Sequence, residues 1–143
     1  MTGDAERIKL LRQRAGKSAG EIALLAGLGD MAYCDVEAHD DELRTVLSLQ
    51  QVKRLADALG VPSSALFLDE LTDIEHRVSY DELVAFVTHH FDSGVSREAL
   101  AEEIGWDLGP FFGGESRALS EYGVDFLQEL CRRIGIDWVA ALP

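Results

Sequence analysis

One pattern of helix punctuation occurs twice in this chain. Gly16, Ser18, Ile22, Ala23 and Gly27 return as Gly94, Ser96, Leu100, Ala101 and Gly105, each 78 residues later. Leu55, Gly60 and Val61 return as Leu130, Gly135 and Ile136, 75 residues later, so one three-residue deletion between the two sets reconciles the offsets. A serine that caps a helix start, apolar residues spaced for one helical face and a glycine that ends the helix answer three different physical requirements. Their joint return points to duplication of a small helical unit.

The helices themselves are read from caps and period. Ser18-Ala-Gly-Glu21, Ser48-Leu-Gln-Gln51 and Ser79-Tyr-Asp-Glu82 are capping boxes, in which two side chains satisfy each other's free backbone amides. Ile8, Leu11 and Ala15 mark a helix ended by Gly16. Ile22, Ala23, Leu25 and Ala26 mark a second, closed by Gly27, and a short third runs from about Asp30 to Glu37. Val52, Leu55, Ala56 and Leu59 mark a fourth, stopped by Gly60, after which Val61-Pro62-Ser63 leads into a helical turn near Leu68. In the second half Leu83, Phe86, Val87 and Phe91 lie on one helix ended by Gly94, and Ser96 to Gly105 mirrors Ser18 to Gly27. The expected class is all-α: two diverged units, residues 1–68 and 79–143, joined by a polar, acidic linker at 69–78.

With 47% apolar residues in 143, a packed core is affordable, and 27% charged residues argue against wholesale disorder. No apolar run approaches the roughly 18 residues of a membrane span, so no membrane partner is expected. The first residues lack the pattern of a signal peptide, and a cytoplasmic location is the expectation. Cys34 and Cys131 form no CxxC pair, and His39, His76, His89 and His90 are scattered, His89 and His90 pointing about 100° apart on one helix. No metal site, cofactor or catalytic constellation is expected, and Gly113-Gly114 lacks the preceding strand and following lysine of a phosphate loop.

The first half resembles the Xre/Cro-type helix-turn-helix family. The residues that carry the likeness are Leu11-Arg-Gln-Arg14, Ser18-x-x-Glu-Ile-Ala23, Ala26-Gly-Leu28, Tyr33-Cys-Asp-Val-Glu37 and Leu55-Ala-Asp-Ala-Leu-Gly-Val-Pro62. The resemblance implies two tandem lambda-repressor-like units, the second degenerate. It also implies that the third helix of the first unit is a recognition helix for the DNA major groove. On that reading Arg7, Arg12, Arg14, Lys17, Ser18 and Tyr33 are the DNA-contact candidates.

The departures concern the same chemistry. Ala19 stands where the family usually places Gln, Gly29 where it places Ser or Thr, and Cys34-Asp35 where Ser and a basic or amide residue are common. The presumed reading helix carries Asp30, Asp35 and Glu37 and no cation, and Asp40, Asp41 and Glu42 follow. Phosphate contacts need Lys, Arg or neutral donors, so this helix weakens DNA binding. Net charge is −13, of which residues 1–60 (8 Lys/Arg, 10 Asp/Glu) carry −2 and residues 61–143 (5 and 16) carry −11. In the second half Trp106 to Glu115 replaces a reading helix with a Gly- and Pro-rich apolar stretch. Trp106, Phe111, Phe112 and Trp138 are the candidates for contact with a protein partner or a second subunit. The leading reading is a DNA-binding regulator of the Xre type, favoured by the family; the alternative is a protein-interaction module that does not bind DNA, such as an adaptor, antitoxin or immunity-type protein, favoured by the residues.

Overall fold

The computed structural model describes residues 2–69 and 76–143. Most of the expected linker, 70–75, lies outside the described residues. The described residues are all-α, with helices α1 (Asp4–Arg14), α2 (Ala19–Ala26), α3 (Asp30–Ala38), α4 (Leu49–Leu59), α5 (Tyr80–Asp92), α6 (Arg97–Ile104), α7 (Glu115–Glu121) and α8 (Val124–Ile134). A π-helical turn, Glu42–Val46, precedes α4, and short 3-10 turns occupy Ser63–Leu66 and Phe111–Gly113.

The repeated punctuation acts as the sequence implies. Ser18 and Ser96 both cap their helices, accepting hydrogen bonds from the backbone N–H of Glu21 and Ala99. The three capping boxes at Ser18, Ser48 and Ser79 are all formed. Gly27 and Gly105, and likewise Gly60 and Gly135, end their helices at φ between 70° and 82°, where a side chain would be strained. Two elements had no expectation in the sequence: the π turn, and α7, which begins directly after Gly114. The Gly- and Pro-rich stretch before α7 folds only into the turn Phe111–Gly113.

The two halves share one hydrophobic core. Ile22, Val52, Leu55 and Leu66 of the first half are fully buried in the same cluster as Val87, Leu100, Val124 and Leu130 of the second. Their junction is an antiparallel backbone bridge between Ser48 and Gly123, where the Leu49 N–H donates to the Tyr122 carbonyl at 2.8 Å. Those two bridge residues are 75 apart, the same offset that relates α4 to α8. Around the bridge α4 packs on α7 and the π turn packs on α8. Shifted by 75, the π turn falls within α7, so one contact is made twice. Away from the bridge, Trp138 meets the Phe67 ring edge-on at 5.3 Å, the Arg44 guanidinium lies 5.3 Å and 5.5 Å from the two ring centres, and the Ser63 hydroxyl donates to the Pro143 carbonyl at 2.6 Å.

Gly123 is required by this junction for space. Its φ of −99° suits any residue, but an added Cβ would sit 3.1 Å from the Leu47 carbonyl oxygen and 3.3 Å from that of Arg44. Both are backbone atoms and cannot rotate away. Gly123→Ala is therefore expected to destabilise the fold by about 1–3 kcal/mol through overpacking, measured by urea denaturation. A substitution without effect would mean that the bridge is loose.

The cysteines offer an independent check. Cys34 is exposed, whereas Cys131 is buried and burial pushes its thiol up to about 12. At pH 8 a thiol reagent should modify Cys34 rapidly and reach Cys131 only after denaturation.

Candidate functional site

Three of the four cations expected to meet DNA, Arg7, Arg12 and Lys17, are engaged within the chain. Arg7 is buried and spends all its donors internally. Its Nε and Nη2 donate to Asp69 at 3.0 and 2.8 Å, Nη1 to Asp4 at 2.7 Å and to the Leu66 carbonyl at 3.1 Å, and Nη2 also to the Thr2 carbonyl at 2.7 Å. Five N–H groups are what a guanidinium has. Asp4 is itself buried and is shared with Arg44, whose Nε donates to it at 2.6 Å. The hydrogen bonds from Arg7 hold the Asp69 carboxyl below its ordinary range.

Arg12 and Tyr33 converge on one acid. Arg12 Nε donates to Glu37 at 2.5 Å and the Tyr33 hydroxyl donates to the same oxygen at 3.0 Å. Burial, and then the Glu37 carboxylate, raise the Tyr33 hydroxyl above its ordinary range, so it stays a neutral donor. Arg12 also donates to the Lys17 carbonyl, and Lys17 Nζ to the carbonyl of Ala58, both at 3.2 Å. The Ser18 hydroxyl caps α2. These contacts tie α1, α3 and α4 together; they are internal supports, where the resemblance implies groups offered to phosphate. Arg14, in the last turn of α1, is exposed.

The four aromatics expected at an interface face inward or lie half-covered. Phe111 is 1% exposed and packs against Tyr80, Phe112 and Phe126. Phe112 lies against Phe91, with the Arg97 guanidinium 4.9 Å from its ring centre. Trp106 meets Phe126 edge-on, and Trp138 sits at the junction of the halves. The Tyr122 hydroxyl donates to the Asp107 carbonyl and accepts from the Phe111 N–H, which fixes the loop that carries these rings. The expected assembly surface in the second half is therefore mostly core, because the small α5–α8 unit needs these aromatics to fill its interior.

Among the described residues the most exposed large apolar side chains lie on the first unit, whereas Phe86 of α5, 45% exposed, is the one of this kind in the second. Leu24 and Leu25 at the end of α2 are 82% and 57% exposed, and Met31 in the first turn of α3 is 84% exposed. They flank the turn Gly27–Gly29, on the helix pair that the resemblance makes a DNA reader. Asp30, Cys34 and Asp35 are exposed along α3, and Arg54 closes the α4 side, next to Leu24, Leu25 and Gly27. In the second unit the positions 78 residues on are Glu102, Glu103 and Gly109. Sequence period does not reveal this face: in a helix as short as α2, eight residues, it does not say how wide the buried stripe is.

Comparison with protein-family models, curated proteins and solved structures found no match to this chain. Among the described residues no helix is long and apolar enough to cross a membrane, and no group of three or more His, Cys, Asp or Glu is placed to hold a metal ion.

If the Arg12–Glu37–Tyr33 cluster is a support, Arg12→Ala leaves Glu37 half-buried beside Tyr33 without its cation. The side chains of Arg12 and Glu37 are only 16% and 15% exposed. A loss of about 2 kcal/mol in chemical denaturation is expected, and Arg12→Ala with Glu37→Ala should cost less than the two single changes together. Asp69 gives a pH signature. A carboxyl held below its unfolded value stabilises the fold above that value and loses the contribution as pH falls through the folded one. Asp69→Asn should therefore flatten the loss of stability with pH below the ordinary carboxylate range, and leave the behaviour near neutrality, where the acid is ionised in both states, parallel to that of the parent.

Proposed function

We propose that this chain is a protein-interaction module on a helix-turn-helix scaffold of the Xre/Cro type, and that it binds its partner, not DNA, through the turn between α2 and α3. The observation that carries the reading is the face itself: Leu24, Leu25 and Met31 stand out into solvent with Asp30 and Asp35 beside them. Large exposed apolar side chains rimmed by charge are the marks of a protein contact. DNA recognition requires donors on that helix and cations around it. Here α3 offers carboxylates, and Arg7, Arg12 and Lys17 are engaged within the chain.

Charge complementarity defines the partner. The apolar residues suit the apolar face of an amphipathic helix, and Asp30 and Asp35 suit lysines or arginines along its flank. A net charge of −13 adds long-range attraction for such a basic segment and repels nucleic acid.

The test pairs two probes. A labelled amphipathic peptide of leucine and lysine is titrated with the full chain by fluorescence anisotropy, and mixed-sequence duplex DNA is titrated at low salt. The peptide should bind, DNA should not, and Leu24→Gln with Met31→Gln should weaken the peptide at least tenfold with the melting temperature unchanged. DNA binding that falls away with Arg14→Ala, or peptide binding indifferent to the Leu24 and Met31 changes, would overturn the reading.

A further inference from the structure

A cavity of about 380 Å³ lies in the second unit between α5, α7, α8 and the last residues of the chain, with Leu49 of α4 closing one side. Its existence follows from the divergence of the two units. Leu119, Ala141 and Leu142 line it, and the residues 75 positions earlier are Arg44, Leu66 and Phe67. In the first unit those larger side chains fill the space: Leu66 is fully buried, Phe67 is 5% exposed, and Arg44 lies against the Phe67 ring. The second unit keeps the helices and has smaller groups at the same places.

The wall chemistry narrows the occupant. Inside are Leu83, Phe111, Phe126 and Leu127, with the rings of Tyr80 and Tyr122. Both tyrosine hydroxyls already donate, to the carbonyls of Phe111 and Asp107. The interior thus asks for an apolar body with no polar group of its own. Asp81, Glu115 and Arg77 line the cavity and are exposed, so they form its mouth. Arg77 donates to the Leu142 carbonyl at 3.0 Å. Asp81 and Glu115 both lie close enough to the Tyr80 hydroxyl to raise it, after burial as the larger cause. Two carboxylates against one guanidinium, on a chain of charge −13, make the mouth favour a cation. Aromatic faces next to it add to that preference.

We propose that this cavity is a binding site for a small hydrophobic amine, its apolar body among Phe111, Phe126 and Leu142 and its ammonium group at Asp81 and Glu115. The site is remote in sequence from the α2–α3 turn and stands or falls independently of the partner reading.

The experiment compares three probes of one shape and different ends: 2-phenylethylamine, 3-phenylpropanoate and ethylbenzene. Each is titrated with the full chain by NMR of the leucine methyl groups. The amine should shift the Leu119 and Leu142 methyls and bind at least fivefold more tightly than the carboxylate. Glu115→Gln should weaken the amine several-fold and leave ethylbenzene unaffected. Ala141→Leu with Leu142→Phe installs the first unit's residues; it should abolish binding of all three probes while the helical circular dichroism is kept. If that double variant does not fold, Leu119→Phe narrows the same space from the α7 side and should give the same loss. Carboxylate binding as tight as the amine's, no binding by the parent chain, or amine binding that survives in a folded filled variant would each overturn the assignment.

Discussion

The structure depends on the place where two equivalent backbone segments touch. At Ser48 and Gly123 the residues that precede α4 and α8 pair across one antiparallel bridge. A backbone pair leaves no room for a side chain between the strands of chain, and only one of the two positions is glycine. The closeness of the Leu47 and Arg44 carbonyls on one side is matched by the absence of a Cβ on the other. From this contact the packing of α4 on α7 and of the π turn on α8 follows, because each helix leaves the bridge in a fixed direction. The π turn places the Arg44 carbonyl against Gly123, and the Leu47 carbonyl follows directly after it.

In a chain with twice as many acids as bases, three arginines of the first unit are paired with acids inside the fold. Arg7 has Asp4 and Asp69, Arg44 shares Asp4, and Arg12 has Glu37. Half-buried guanidinium–carboxylate pairs of this kind hold geometry more than they add stability. They fix α1 against α3 and against the turn after α4. Arg7, with all five N–H groups engaged, has no donor left for a phosphate. The basic look of the first helix in sequence and the neutral or acidic look of the folded surface around α3 have the same cause.

The positions related by the internal offsets carry different residues in the two halves. The two units solve one packing problem with different residues, and the differences are concentrated. On the outside, Leu24 and Leu25 in the first unit correspond to Glu102 and Glu103 in the second. A glutamate at each site keeps the second unit's face in water, whereas the leucines leave the first unit's face unsatisfied by solvent. On the inside the contrast reverses: the first unit is filled by Leu66 and Phe67, and the second, with Ala141 and Leu142, encloses a cavity.

Helix starts and ends were readable from local residues alone, because caps and left-handed glycines act over three or four residues and need no partner elsewhere. Ser18, Ser48, Ser79 and Ser96, with Gly27, Gly60, Gly105 and Gly135, are legible for that reason. The internal repeat was legible too, since it is a relation within the sequence. What the tertiary structure alone decided is which side chains remain free. Whether Arg12 meets solvent or Glu37 depends on a contact across 25 residues, and Arg7 reaches Asp69 across 62. Phe111 and Leu24 illustrate the same point from opposite sides. Both are large and apolar, and local pattern does not say which is covered. Phe111 is buried because α5, α7 and α8 converge on it, and Leu24 is exposed because nothing in the described chain packs over the end of α2. Helix boundaries are set by short-range hydrogen bonding, whereas exposure, and with it the candidate site, is set by which distant surfaces the fold brings together.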